Sequence, residues 1–238
     1  MSASTRATRD LVVVTGLAAE ARIAAGPGIR VVVAGGARTL QLERRLAQEI
    51  ERGARAVMSF GIAGGLAERL SCGAWLVARS VLTPSGCVRC HAQWTASLRD
   101  RLPGAHVVDL AGVDTPAWTA SDKRALHRET GAWAVDTESH VAATLAARAG
   151  LAFAAFRVVA DGAKRSLPAA AAVALAPDGT IRHGKVLGSI ARAPAQLPSL
   201  VRTARDTAVA LRELSRGRRR LGGGLACPDL DELVLDVP

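Results

Sequence analysis

Short apolar runs, several of them rich in valine, alternate along this chain with segments of helical periodicity. The apolar runs predict buried strands over 11–15, 29–34, 55–60, 75–82, 106–110, 133–135 and 151–159. The segments between and after them predict helices over 17–25, 38–52, 121–130, 138–148 and 197–214. Strands that alternate with helices predict an α/β fold, a single three-layer domain in which helices cover both faces of a central sheet.

This alternating pattern occupies residues 11–216. Residues 1–10 precede the first predicted strand and are expected to form an N-terminal extension. Residues 217–238 combine an arginine cluster with a run of three glycines, so we expect a flexible basic tail there. Ser121 is expected to be the N-cap of the helix that it opens.

The stretch from Arg55 to Leu66 is the most informative in the chain. Its apolar first half leads directly into Gly61, Gly64 and Gly65, which predicts a buried strand that ends in a turn. Backbone N–H groups in such a turn can form a concave anion site. We therefore expect an anion, such as phosphate, to bind there.

Composition narrows the class of partner. The chain has 238 residues, 49% of them hydrophobic, and a formal net charge of +10, which indicates contact with something anionic. Aromatic residues make up 3% and tyrosine is absent, so the aromatic platform of a single-strand nucleic-acid binder is missing and no nucleic acid is expected. Four cysteines without framework spacing indicate a reducing cytoplasm, and five histidines without zinc-site spacing predict no metal.

Carboxylates follow several of the predicted strands. Glu20 comes soon after the first strand, Asp136 and Glu138 join a strand to a helix, and Asp161 ends the last strand. Taken singly, each is typical of a helix cap. Because ligands bind at the carboxyl ends of strands in such sheets, the set together predicts a ligand site at one sheet edge.

The segments 60–66, 135–138 and 157–161 resemble motifs of the purine nucleoside phosphorylase and nucleosidase superfamily, and the resemblance extends over about 11–214. Within it, 16–22 and 136–140 are most similar to the hopanoid-associated phosphorylase group. The resemblance implies a mixed central sheet flanked by helices, as in nucleoside phosphorylases and hydrolases. It also implies cleavage of the N-glycosidic bond of an adenine nucleoside, by phosphorolysis of adenosylhopane that releases adenine in hopanoid biosynthesis.

The resemblance also implies roles for residues. Asp161 would protonate the purine, and Glu20 would be the base if water attacks. The substrate would be held by Glu138, Thr137, Asp136 and Gly64, and inorganic phosphate, the expected co-substrate, by Gly16, Gly61, Ile62, Ala63 and Arg38. No cofactor is implied.

Partners and alternatives follow from the same resemblance. An adenosylated hopanoid lipid would bring the protein into peripheral contact with a membrane, and relatives are commonly homo-oligomers. One alternative is a soluble nucleosidase that hydrolyses methylthioadenosine, adenosylhomocysteine or a futalosine-like compound. The other is a non-catalytic module that binds a nucleoside or a lipid.

Overall fold

A computed structural model describes residues 11–34, 38–172, 174, 176 and 178–228. Its strands are β1 (Leu11–Thr15), β2 (Ile29–Val33), β3 (Ala56–Gly65), β4 (Trp75–Thr83), β5 (Gly86–Arg89), β6 (His106–Gly112), β7 (Ala134–Asp136) and β8 (Ala152–Asp161). Its α-helices are α1 (Ala18–Ala24), α2 (Thr39–Glu51), α3 (Ala92–Arg101), α4 (Ala120–Thr130), α5 (Ser139–Arg148), α6 (Ala169–Ala172), α7 (His183–Arg192) and α8 (Leu197–Leu221).

The strands form one mixed sheet. β1 lies between β2 and β3 and is parallel to both. β3 pairs in parallel with β8 and, through its last residues, antiparallel with β7. β8 is antiparallel to β4, which is parallel to β6, and β6 is parallel to β7. Strands β3, β8, β4, β6 and β7 therefore close into a ring, and the predicted α/β domain with a mixed sheet is confirmed.

The core lies on both faces of the sheet. Leu42 and Leu46 of α2 and Ala142 of α5 pack in one buried cluster, whereas Trp94 of α3 and Leu214 of α8 pack in the other. The four-residue spacing of the two leucines puts them on the same side of α2, as the amphipathic pattern predicts. The three layers expected from the sequence are present.

The glycine segment differs from its prediction. Instead of ending in a turn, β3 continues through it to Gly65, so the turn prediction is wrong. A Cβ on Gly61 would lie 2.5 Å from Glu20 Oε1 and 2.6 Å from Arg157 Nη1. Glycine is therefore required at position 61 to make room for two charged side chains within the sheet, rather than to bend the chain.

The start of α4 also differs. Thr119, not Ser121, is its N-cap: the Thr119 hydroxyl accepts the N–H of Asp122 at 3.1 Å, and the Asp122 carboxylate accepts the N–H of Thr119 at 3.0 Å. This reciprocal pair is a capping box, which satisfies two N–H groups where a lone Ser121 cap would satisfy one.

The expected tail is partly structured. α8 continues to Leu221, and beyond it Leu225 and Ala226 are buried. The indole N–H of Trp94 donates to the Leu225 carbonyl at 3.0 Å. Residues 217–228 therefore pack on the domain, while the remainder of the expected tail and the extension 1–10 lie outside the described residues. Within the described ranges, no helix combines the length and apolarity needed to cross a bilayer.

Candidate active site

A cavity of about 230 Å³ opens where β1, β3, β7 and β8 end. Nine of the eleven predicted site residues line it: Gly16, Glu20, Ile62, Ala63, Gly64, Asp136, Thr137, Glu138 and Asp161. Gly61 lies beneath it, against Glu20 and Arg157. Arg38 is exposed and lines a separate hollow along α2. The structure thus brings together every predicted site residue except Arg38.

Charged groups cluster at two places around the cavity, with the carboxyl groups on its wall and the two cations behind them. The first, which we name the arginine pole, consists of Arg157, Asp136, Glu138 and Glu20. The Arg157 guanidinium is fully buried, with Nε 3.2 Å from Asp136 Oδ2 and Nη2 3.4 Å from Glu138 Oε2. Nη2 also donates to the Ser59 hydroxyl at 2.6 Å. The charge of Glu20 also acts on Arg157. One buried cation therefore lies among three buried carboxyl groups.

Local sequence fixes the carboxylates from β7. Asp136 ends the strand, and its Oδ1 accepts the N–H groups of Glu138 at 2.9 Å and Ser139 at 2.6 Å, which satisfies two donors at the start of α5. The Thr137 hydroxyl donates to Glu138 Oε1 at 2.5 Å. A Cβ on Gly16 would lie 2.7 Å from that same oxygen, so the glycine allows Glu138 to approach the backbone after β1.

Glu20 is held by backbone amides. Its Oε2 accepts the N–H groups of Gly16 at 2.9 Å and Leu17 at 2.8 Å, and its Oε1 accepts the N–H of Ile62 at 2.7 Å. Glu20 lies in the first turn of α1, where the helix dipole favours a carboxylate. The amides of Gly16 and Ile62, which the sequence assigned to phosphate, therefore already bond the carboxyl group of Glu20.

Burial dominates the acidity of this pole. Desolvation raises the pKa of Glu138 to about 7, with the charges of Asp136 and Glu20 adding to the rise and Arg157 opposing it. Burial likewise raises the pKa of Glu20, although Arg157 and the three backbone N–H groups oppose the rise. The pole can therefore change its charge near neutral pH.

The second charged place, the lysine pole, consists of Lys123 and Asp161. Lys123 of α4 is 1% exposed, and its ammonium bonds Asp161 Oδ2. It also donates to the carbonyls of Gly162 at 3.1 Å and Arg165 at 3.0 Å. Burial raises the pKa of Asp161, and the Lys123 charge opposes that rise.

Three features of the site were not predicted from the sequence: the buried Arg157, to which the sequence assigned no role, an apolar wall and a buried lysine. Pro116, Ala117, Trp118 and Leu167 give the cavity an apolar wall, built by the loop before α4 and the loop after β8. Lys123 was missed because a lysine in a polar helix is usually solvated. The one sequence signal is that Lys123 precedes the half-buried Leu126 by three residues, which puts both on one side of α4.

The comparison with protein families gives one match. A family model described as the phosphorylase superfamily matches residues 14–192, which is most of the chain. A search of curated proteins found no match.

Solved structures give the same fold. A futalosine hydrolase from Helicobacter pylori strain 26695 superposes with a TM-score of 0.58 at 15% identity, over 87% of this chain and 97% of that one. A 5'-methylthioadenosine/S-adenosylhomocysteine nucleosidase from Helicobacter pylori superposes with a TM-score of 0.59 at 14% identity, over 89% of this chain and 98% of that one. For an S-adenosylhomocysteine nucleosidase from Streptococcus pyogenes the TM-score is 0.58 at 14% identity, over 85% of this chain and 95% of that one. At these identities the likeness establishes the fold alone.

Proposed function

Because the chain belongs to the phosphorylase superfamily, we propose that it cleaves the N-glycosidic bond of an adenine nucleoside and that water is the nucleophile. The observation that carries the choice of water is the position of Glu20, whose carboxylate occupies the amides of Gly16, Leu17 and Ile62. Adenine as the base is supported by the solved structures of the same fold, which include nucleosidases for 5'-methylthioadenosine and S-adenosylhomocysteine.

Phosphate, the nucleophile expected from the sequence, fits this cavity poorly. It would need the amides that Glu20 already uses. The arginine pole contains three carboxyl groups and only one buried cation, Arg157, which already contacts two of them. Bringing a phosphate dianion among them would add like charge at low dielectric, which is unfavourable. Water carries no such penalty.

The proposed chemistry uses both poles. Glu20 takes a proton from water as the water oxygen bonds to the anomeric carbon, and the glycosidic C–N bond breaks. Asp161 gives a proton to the purine, which receives the bonding electrons. General acid–base catalysis of this kind contributes about 10²–10⁴-fold. Glu138 bonds the ribose hydroxyls, and the negative excess of the arginine pole stabilises the oxocarbenium-like ribose.

The test is base release from 5'-methylthioadenosine, S-adenosylhomocysteine and adenosine, each with and without inorganic phosphate, with the sugar product identified by mass. We expect adenine and the free sugar at a rate independent of phosphate. Strict dependence on phosphate, with a sugar 1-phosphate as product, would overturn the choice of water. Binding of adenine without turnover of any nucleoside would favour the non-catalytic module.

A second candidate concerns the substrate rather than the nucleophile. We propose that an adenosylated hopanoid is a candidate substrate, taken from a membrane surface. The segment 179–205, whose exposed side chains we name the basic apolar face, supports this. It carries Arg182, Lys185, Arg192, Arg202 and Arg205 and no acidic residue.

The same face is apolar as well as basic. Four of the six exposed large apolar side chains among the described residues lie on it: Ile181, Leu187, Leu197 and Val201. The face also begins at the cavity, because the carbonyl of Gly179 accepts the N–H of Ala18, next to the cavity residue Leu17. Basic and apolar groups together suit the headgroup region of an anionic bilayer.

Sedimentation with vesicles tests this candidate. We expect binding to vesicles that contain an anionic phospholipid, weaker binding to purely zwitterionic ones, and loss of binding in Leu187→Glu. Exposed Leu40 lies outside the face, so Leu40→Glu is the matched control and should bind as the wild type does. Equal binding by Leu187→Glu and the wild type would remove the membrane from the proposal but leave hydrolysis of a soluble nucleoside standing.

A further inference from the structure

The strongest unassigned feature is the buried lysine beside the proposed acid. Lys123 is one of the most buried large side chains in the described part of the chain. Its ammonium donates hydrogen bonds to Asp161 Oδ2 and to the carbonyls of Gly162 and Arg165. An ammonium removed from water is costly unless it is paired. A lysine so placed, next to a carboxylate on the cavity wall, acts on that carboxylate.

We propose that Lys123 is a positioning residue, which fixes Asp161 through Oδ2, leaves Oδ1 for the purine, and stabilises the carboxylate that remains when Asp161 has given up its proton. The proposal rests on the proposed function, because it assigns Asp161 to the purine. Within the described residues no donor bonds Oδ1, and Asp161 lines the cavity. The two carbonyls that also hold Lys123 restrain the ammonium from two further directions.

The protons balance without a further reactant. When the C–N bond breaks, the purine takes the proton of Asp161, which becomes a carboxylate facing the ammonium. Lys123 keeps its own protons throughout. The proton that Glu20 takes from water returns to Asp161 through solvent, so one water molecule is consumed and the enzyme is restored. Lys123 thus acts on the acidity of Asp161 and touches no reacting atom.

Other charges near Asp161 bear on its titration. Arg165 lowers the pKa of Asp161, Asp206 of α8 raises it, and both act more weakly than Lys123. Arg165 Nη2 lies 3.3 Å from Asp206 Oδ2, and the effects of these two charges on the pKa of Asp161 partly cancel. Asp161 in turn raises the pKa of the Cys72 thiol, for which burial is the main cause. Lys123 is therefore the charge that most opposes the effect of burial on Asp161.

The experiment is a ¹³C titration of the Asp161 carboxyl in the ligand-free protein, assigned by comparison with Asp161→Asn. In Lys123→Gln, which keeps a donor and removes the charge, we expect the midpoint to rise by about one pH unit, the effect of losing one close opposite charge. Lys123→Arg should stay near the wild type. Exposed Lys164, paired with Glu68, supplies the control Lys164→Gln, which should not change the midpoint. An unchanged midpoint in Lys123→Gln overturns the proposal.

Kinetics supply a second measurement. Lys123→Gln should lower kcat about tenfold, a fraction of the general-acid contribution, with KM within about twofold, as expected for a group that acts in the transition state. The alkaline limb of kcat should move to higher pH, because Asp161 then keeps its proton longer but gives it up less readily. A purely structural lysine would change KM and stability without moving that limb.

Two outcomes separate this proposal from the proposed function. If the wild type cleaves no nucleoside, the proposed function fails, whereas the carboxyl titration still decides the role of Lys123. If Lys123→Gln does not fold, the double variant with Asp161→Asn should fold, because no buried charge is then left unpaired. Failure of the double variant as well would contradict the pairing.

Discussion

The two poles of the cavity differ in how they balance charge. The arginine pole sets three carboxylates around one guanidinium, whereas the lysine pole sets one carboxylate against one ammonium. The residues of the arginine pole and Lys123 are buried and the Asp161 side chain is 13% exposed, so water screens the charges at either pole only weakly. The arginine pole is therefore suited to a developing positive charge, and the lysine pole to the exchange of a single proton.

This difference matches the two ends of a glycosidic bond. The ribose becomes positive as the bond breaks, and the purine becomes basic. A protein that places excess negative charge at one end and a balanced acid at the other stabilises both changes at once. Pro116, Ala117, Trp118 and Leu167 line the same cavity and give it an apolar wall.

The largest expected effect comes from removing the proton at the lysine pole. Asp161→Asn keeps the shape of the side chain but cannot protonate the purine, so kcat for base release should fall about 10²–10⁴-fold. The control is Asp100→Asn, because Asp100 is well exposed and pairs with Arg99 at the surface. A fall within a few-fold would remove Asp161 from the role.

Removing the cation of the arginine pole should mainly affect stability. Arg157→Met leaves buried carboxylates without their partner, which costs about 3–5 kcal/mol of unfolding free energy, measured by urea denaturation. Exposed Arg148 at the end of α5 gives the control Arg148→Met, which should change stability little. Equal stability of the Arg157 variant and the wild type would show that this arginine does not balance the carboxylates.

Removing Glu20 tests which nucleophile the site is built for. Glu20→Ala should lower hydrolysis about 10²-fold through loss of the base, and it frees the amides of Gly16, Leu17 and Ile62. Added formate should then restore part of the activity, because a small carboxylate fits that amide cluster. Exposed Glu51→Ala is the control. Full activity without formate would contradict the role of Glu20.

The smallest effect expected is a pH dependence set by Glu138. Burial raises its pKa to about 7, so the carboxyl group that we propose for ribose binding is neutral below that pH and charged above it. The value of kcat/KM should therefore rise only a few-fold as pH increases through about 7, because the neutral carboxyl group still bonds hydroxyls, although less strongly than the carboxylate. A profile of kcat/KM that is flat from about pH 5 to about pH 8 would contradict the assignment.

The sequence predicted the frame of this site better than its interior. Apolar runs located all of the described strands except β5, and carboxylates after strands located the acids of both poles but not Arg157, because both signals are local. The glycines of β3 led to a wrong turn prediction. In the sequence, a glycine that makes room for the Glu20 and Arg157 side chains looks the same as a glycine that makes a turn. Lys123 could not be predicted, because its burial depends on where the loop after β8 folds over α4.

The most direct test of the contrast between the poles is the binding of two matched adenine ligands by calorimetry. One carries a protonated nitrogen in the sugar ring, and the other has a neutral ring of the same shape. The excess of carboxylates at the arginine pole predicts that the cationic ligand binds at least about 10²-fold more tightly, as a mimic of the transition state does. Equal affinity for the two ligands would contradict the account.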